Sequence, residues 1–304
     1  MEDLWGKIPE FPQFKDFSLE EKPLLEGAFL KFSPVISEFT FTNLFIWRQV
    51  YQLRISHLNG FICLLSDKGD PSFFFPPIGE GDKVEFFQTL LQYLKARGNS
   101  PKIARVPESM VTQIDWKENG MRVDLDRDQS DYIYLIKDLT KLEGRKYHRK
   151  RNHIKQFKEK YSYQYLSLTP EWISECLRLE TDWCDLRQCE LVPGLANESV
   201  AIKEALTHFN QLHMKGGAIL IDGKLEAFTL GEPLNPETVV IHIEKANPAF
   251  EGLYPLINQV FLENEWSAHL YVNREQDLGE EGLRKAKESY FPNHMIHKYI
   301  ITLA

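Results

Sequence analysis

Residues 218–230 read AILIDGKLEAFTL, two apolar runs on either side of Asp222-Gly223. Asp-Gly between such runs specifies a two-residue hairpin turn, because both central positions need a positive φ that Asp tolerates and Gly takes freely. Upstream, residues 52–65, QLRISHLNGFICLL, repeat the pattern around Asn59-Gly60. Outward from each hairpin the same order of elements follows: a third strand (72–75 and 238–244), a helix (83–97 and 252–265), a fourth strand (102–106 and 268–272) and a further helical stretch. This order, met twice, predicts an α/β (α+β) protein of two similarly built halves, each a mixed sheet flanked by helices. A boundary near residue 140 gives domains of 1–140 and 141–304.

Composition agrees with two globular domains. The 304 residues are 43% hydrophobic and 26% charged, which excludes collagenous and mainly disordered chains. No apolar run approaches the roughly 18 residues of a spanning helix. Glu2, Asp3, Lys7 and Glu10 leave no room for an apolar leader, so the expected address is cytoplasmic. Cys63, Cys176, Cys184 and Cys189 include no C-x-x-C pair, and the expectation is free thiols, with neither disulfide nor metal. Thr169-Pro170-Glu171 has the cap, proline and first-turn acid of a helix start, with Trp172, Ile173, Cys176, Leu177 and Trp183 as its buried face. A second helix is expected from Asn197 to Gly216-Gly217.

The net charge of −8 conceals a block at 141–160, where nine Lys or Arg face two Glu for a local +7, against −15 on the remainder. Within it Tyr147, Ile154, Phe157 and Tyr161 recur at helical spacing as one apolar stripe. The other faces are cationic, and Arg145, Lys146, Arg149, Lys150, Arg151 and Lys155 are candidates for nucleic-acid phosphates. A solvated helix pairing with the acidic remainder is the plainer reading.

Chemistry is concentrated in two later segments. In residues 239–247, VVIHIEKAN, alternation places His242 and Glu244 on one face of a strand, either in a buried structural ion pair with Lys or Arg or lining a ligand cleft. The following helix begins at Gly252 rather than Asn247, because the later start keeps Pro255 in the first turn. Its amides then suit a phosphate or an oxyanion. Residues 273–287, NREQDLGEEGLRKAK, place Asn273 and Arg274 at a strand end, where open α/β sheets bind ligands. Asp277 with Glu280 reads as a capping box, and Arg284 and Lys287 share a helical face. The chain contains no H-E-x-x-H, G-x-S-x-G, Walker A or G-x-G-x-x-G pattern, which demotes hydrolase, nucleotide-kinase and dehydrogenase readings.

Residues 38–47 (EFTFTNLFIW), 142–157 (LEGRKYHRKRNHIKQF), 242–247 (HIEKAN) and 273–287 together resemble the phosphatidylglycerol lysyltransferase C-terminal domain family. The resemblance implies tandem acyl-CoA N-acyltransferase-like folds, comparable to the peptidoglycan-bridge aminoacyltransferases. It implies transfer of an acyl or aminoacyl group from aminoacyl-tRNA or acyl-CoA to a hydroxyl or amine, a lipid hydroxyl included, with no tightly bound cofactor. In that reading Glu244 and His242 are catalytic. Lys245, Asn247, Gly252, Asn273, Arg274, Asp277, Arg284 and Lys287 bind substrate, the basic helix contacts tRNA or a membrane surface, and no metal takes part. The competing reading is a non-catalytic RNA- or anionic-surface-binding protein on a degenerate transferase scaffold.

Overall fold

A computed structural model describes residues 6–68 and 72–304; Glu2 and Asp3 lie outside them. Both hairpins form. Strand β2 (Leu53–Leu58) turns into β3 (Phe61–Ser66) through Asn59 and Gly60 at φ 45° and 84°, and β10 (Lys215–Ile221) into β11 (Lys224–Pro233) through Asp222 and Gly223 at φ 50° and 79°. All four positions have the positive φ that the two-residue turn demands.

The chain divides into two compact units. The first runs to Asp131 and takes in Gln276–Glu280 and Met295–Ala304; the second comprises Tyr132–Glu275 and Glu281–His294. In the first unit β1 (Lys15–Asp16), β2, β3, β4 (Phe73–Phe74), β6 (Lys102–Pro107), β15 (Lys298–Leu303) and β7 (Met121–Leu125) lie side by side in that order, with β5 (Ile78–Gly79) on β3. Strands β4 and β6 are parallel. The second sheet runs β9 (Tyr163–Ser167), β10, β11, β12 (Thr238–Ala246), β13 (Tyr271–Asn273), β8 (Asp131–Leu135), β14 (His294–Ile296), and β12 and β13 are its parallel pair.

The two orders match position by position. In each, a hairpin, an antiparallel third strand, a helix and a parallel fourth strand follow chain order, as expected. The fifth position does not: it is taken by β15 from the end of the chain in one sheet, and by β8 from before the hairpin in the other. A single cut at residue 140 therefore differs from the division observed, because the last strand belongs to the first sheet.

Each sheet carries its helix by an apolar face. In the first unit, helix Lys83–Ala96 starts at Asp82, whose side chain accepts from the Glu85 amide, and it buries Phe86, Phe87, Leu90, Leu91 and Leu94. In the second, helix Leu253–Glu265 buries Leu253, Leu256 and Ile257, and against it packs the basic helix His148–Lys160 with Ile154 and Phe157, joined by Tyr147. The expected stripe is thus buried, except that Tyr161 is half exposed.

Three local expectations are corrected. Cys184 and Cys189 form a disulfide, because helix Ile173–Arg187 ends at Gln188 with φ 52° and the chain folds back, bringing the two Cα atoms to 5.0 Å; Cys63 and Cys176 are buried free thiols. That helix buries Cys176, Leu179 and Glu180, whereas Trp172, Ile173, Leu177 and Trp183 are only half buried. The next helix spans Pro193–Thr207 rather than starting at Asn197, and Gly216 and Gly217 lie inside β10, where added side chains would strike Leu168 and Tyr165.

The Lys298 ammonium, at the start of β15, is fully buried. It donates to Glu38 Oε2 and Asp131 Oδ1, both at 2.6 Å, and to Ser37 Oγ at 3.3 Å. Burial alone would lower its pKa, but Asp131 and Glu38 outweigh that and raise it. Lys298→Met keeps the volume and removes the ammonium that Asp131 and Glu38 share, Glu38 keeping Arg105 at 3.1 Å, so chemical denaturation should report a loss of about 3–5 kcal/mol. An unchanged midpoint would contradict the assignment of this cluster as the anchor of β15.

Candidate functional site

The parallel strand β13 stops at Asn273, opposite Val240, while β12 continues to Ala246 without it. This leaves a seam in the second sheet beside the last part of β12. Asn273 is fully buried, and its Oδ1 accepts from the Glu275 amide at 2.7 Å, turning the chain so that Arg274 points back along β12. Arg274 Nη2 donates to Glu244 Oε1 at 2.9 Å, and Asn258 Nδ2, from helix Leu253–Glu265, donates to Glu244 Oε2 at 3.0 Å. The carboxylate is held at both oxygens.

Around this pair stand groups that sequence reading did not assemble. Tyr290 lies with its ring centroid 4.9 Å from Arg274 Cζ and 3.8 Å from the Lys150 ammonium. The Tyr147 hydroxyl donates to the Tyr290 carbonyl at 3.0 Å, and the Tyr134 hydroxyl to the Lys287 carbonyl at 2.9 Å. Burial pushes the Tyr290 hydroxyl well above its usual range, keeping it neutral. Lys150 is pushed down to about 8, first by burial and then by its cationic neighbours Arg274 and Arg149. Arg274 Nη1 and Asn258 Oδ1 are buried atoms with no hydrogen-bond partner among the described residues. Two cations therefore lie against one aromatic ring, and one of them, Arg274, is paired with Glu244 while keeping a buried donor to spare.

Expected site residues outside this cluster are bound into the fold. His242 does not stand beside Glu244 as a helper, since its Nδ1 lies 2.8 Å from Glu275 Oε1 and its Nε2 2.9 Å from Glu232 Oε1. A bulge in β12 opposite Leu230 and Gly231 accompanies this arrangement. Lys245 faces the other way, with Nζ 3.0 Å from Glu198 Oε2 and 3.5 Å from the Trp183 ring centroid. Asn247 shapes the turn, donating to Glu226 Oε2 at 2.7 Å and accepting from the Ala249 amide at 3.0 Å. Gly252 begins its helix, but at φ 93° and so close to the basic helix that a Cβ would sit 2.4 Å from the His153 carbonyl oxygen; that helix end is covered. Asp277 lies in the first unit, paired with Arg127 at 3.1 Å and accepting from the Gly279 amide at 2.9 Å, and the helix starts only at Glu281. Arg284 is half exposed on that helix, and the Lys287 ammonium donates to the Arg274 carbonyl, fixing the loop that carries the arginine.

Of the nucleic-acid candidates, Arg145, Lys146, Arg149 and Lys155 are exposed. Lys150 instead turns towards Tyr290, and Arg151 donates to the carbonyls of Leu142 and Gly144. Asn258 left a signal in the sequence: it is a polar residue at a core position among Leu256, Ile257, Val260 and Phe261. Tyr290 left none.

A family model described as phosphatidylglycerol lysyltransferase, C-terminal, matches residues 31–302. The chain belongs to this family. Among solved structures it is similar to a conserved protein of unknown function from Bacteroides thetaiotaomicron VPI-5482, at 34% identity and a TM-score of 0.88, over 96% of this chain and 99% of that one. It is also similar to the C-terminal domain of a putative lysylphosphatidylglycerol synthetase from Agrobacterium fabrum, at 11% identity and a TM-score of 0.67, over 93% and 92% of the two chains. A tandem GNAT protein from the clavulanic acid biosynthesis pathway matches at 10% identity and a TM-score of 0.51, over 95% and 97%. The expected tandem N-acyltransferase-like fold is thereby borne out, and family and fold together give this chain an acyltransferase scaffold. No helix among the described residues is long and apolar enough to cross a membrane.

His242 is fully buried; burial by itself lowers its pKa, but the hydrogen bonds to Glu232 and Glu275 prevail and push it up to about 9. The ordinary value is about 6.5. Since the folded value is the higher one, this contribution is complete below pH 6.5 and is lost as pH rises through about 9. It amounts to roughly 3 kcal/mol. Urea titrations from pH 6 to 10 should show that decline in the wild type, superimposed on what other groups contribute, and a clearly flatter profile in His242→Gln. Equal profiles would show that the imidazole does not hold a proton between the two carboxylates.

Proposed function

We propose that this chain transfers an aminoacyl group, carried as an ester on the 3′ end of a tRNA, directly to a hydroxyl or amine acceptor at the β12–β13 seam. The observation that carries the reading is the buried Arg274 Nη1, without a hydrogen-bond partner among the described residues, with Lys150 on the same tyrosine ring and Glu244 held by Arg274. Such a site is short of negative charge, and an ester carbonyl becoming an oxyanion supplies it. Glu244, fixed by Arg274 and Asn258, suits the donor's ammonium group or the acceptor's polar hydrogen. In the step, the acceptor oxygen or nitrogen bonds to the carbonyl carbon, the ester C–O bond breaks, and the acceptor proton passes to the departing ribose oxygen. Holding donor and acceptor together removes much of the barrier without a covalent enzyme intermediate. The Agrobacterium fabrum relative, a putative lysylphosphatidylglycerol synthetase domain, supports an aminoacyl donor and makes a phospholipid hydroxyl one acceptor to assay. His242, held between two carboxylates, acts here only by positioning β12.

The second reading, a binding protein without activity, draws on the saturated pairs at His242 and Lys245 and on the exposed Arg145, Lys146 and Arg149. Transfer assays with charged tRNA and, in parallel, acyl-CoA separate the two. Glu244→Gln and Lys150→Gln should each reduce transfer by about 10²-fold or more with little change in melting temperature. Wild-type transfer in Glu244→Gln together with a lowered melting temperature would sink the catalytic assignment and leave a structural ion pair.

A further inference from the structure

The disulfide between Cys184 and Cys189 fastens the end of helix Ile173–Arg187 to the turn Cys189–Leu191 that leads into helix Pro193–Thr207, and both helices reach the same lysine. The Lys245 ammonium lies 3.9 Å from Glu180 and 3.5 Å from the ring centroid of Trp183, both on the first helix, and 3.0 Å from Glu198 on the second. Lys245 follows Glu244 in β12. The Trp183 indole also donates to the Tyr254 hydroxyl at 3.1 Å, one helical turn before the Asn258 that holds Glu244. The cross-link thus stands behind both elements that position the candidate carboxylate.

Three features make it exchangeable rather than a permanent staple. The closed loop is short, with a sequence separation of 5, so the cross-link takes little entropy from the unfolded chain. The turn has backbone bonds of its own: the Gln188 amide donates to the Asp185 carbonyl at 3.3 Å, the Leu191 amide to Gln188 at 2.9 Å and the Val192 amide to Cys189 at 3.0 Å. The third feature is Glu180, whose side chain is fully buried. Its Oε2 has no hydrogen-bond partner among the described residues, and its Oε1 lies 3.4 Å from Cys184 Sγ. A disulfide sulfur has no proton to give, whereas a thiol does. Reduction therefore supplies a donor to a buried carboxylate that is short of them.

We infer that Cys184–Cys189 is a site of reversible thiol–disulfide exchange with a dithiol. A thiolate of the dithiol attacks the half-buried Cys184 sulfur, the S–S bond breaks, and the buried Cys189 leaves and takes up a proton. The second sulfur of the dithiol, having lost its proton, displaces Cys184, which is protonated and donates to Glu180. The dithiol ends as a disulfide, oxidised by the two electrons that the cysteines gain. Loosening behind Lys245 and Trp183 then relaxes the support of Glu244; that consequence rests on the reading above, while the exchange itself does not. The test equilibrates the full chain with mixtures of reduced and oxidised dithiothreitol, quenches with acid, and counts alkylated thiols by intact mass after unfolding. The count should rise from two to four per chain and return on reoxidation. On reduction, hydrogen exchange in residues 184–192 should quicken about tenfold while that of β10 and β11 stays unchanged. Glu180→Gln should move the equilibrium towards the disulfide by about fivefold, and Glu190→Gln, an exposed acid in the same turn, should not. If Glu180→Gln does not fold, Glu180→Asp, which keeps the charge but withdraws it from the sulfur, takes its place with the same expected direction. A disulfide reduced only as β10 and β11 unfold, or an equilibrium indifferent to residue 180, would overturn the inference. A protein that exchanges reversibly yet transfers nothing in either state leaves it standing and defeats only the catalytic reading.

Discussion

Everything in the first sheet beyond β6 hangs on one buried ammonium. Lys298 stands opposite Pro107 of β6, and its neighbour Tyr299 opposite Leu125 of β7, so β15 is the strand that joins those two. Nothing in the local sequence KYIITL requires that placement, since an apolar strand can slip. The ammonium can be buried only where carboxylates await it, and Glu38 and Asp131 occupy that one place. Asp131 is also the first residue of β8, so the same contact fixes where the chain leaves for its second sheet.

Buried charge elsewhere is divided unevenly, and the division separates scaffold from site. His242 has two carboxylates to itself, and Lys245 has Glu198 and the face of Trp183. These groups are satisfied, and a ligand would gain little by displacing their partners. At Glu244 the balance runs the other way, with Arg274 and Lys150 sharing Tyr290 and a guanidinium nitrogen unused. The strand that carries all three acidic or basic positions therefore contributes structural clamps at 242 and 245, with the carboxylate of the candidate site between them at 244.

What could be read in the sequence was what short-range chemistry decides. Asn59-Gly60 and Asp222-Gly223 impose turn geometry by themselves, and Pro255 moved a helix start to the correct residue because its ring is tolerated only in the first turn. Glu244 and Arg274 were legible as site candidates from strand alternation and strand ends. The fifth strands were not, because β15 pairs with β6 across nearly two hundred residues and an apolar strand carries no address. His242 was misplaced for a similar reason: its partners Glu232 and Glu275 come from different segments, and a bulge breaks the alternation on which the face assignment relied. Lys150 was grouped with its basic neighbours because periodicity distinguishes buried from exposed faces, yet cannot identify the ring that a half-buried lysine will meet.

The cysteines narrow the chemistry open to this scaffold. A thioester route needs an accessible thiolate. Cys184 and Cys189 are joined to each other, while Cys63 and Cys176 are buried thiols whose pKa values burial raises, that of Cys176 to about 12. None of the four is an accessible thiolate, which agrees with the proposed direct transfer in not calling for a thioester. The proposed direct attack would need donor and acceptor in the site together, with the seam beside β12 open to both. The interrupted pairing after Asn273 supplies such an opening in the sheet, and the Lys287 contact to the Arg274 carbonyl holds its rim in position. On that proposal, the loop after β13 is the element to vary when the choice of acceptor is tested.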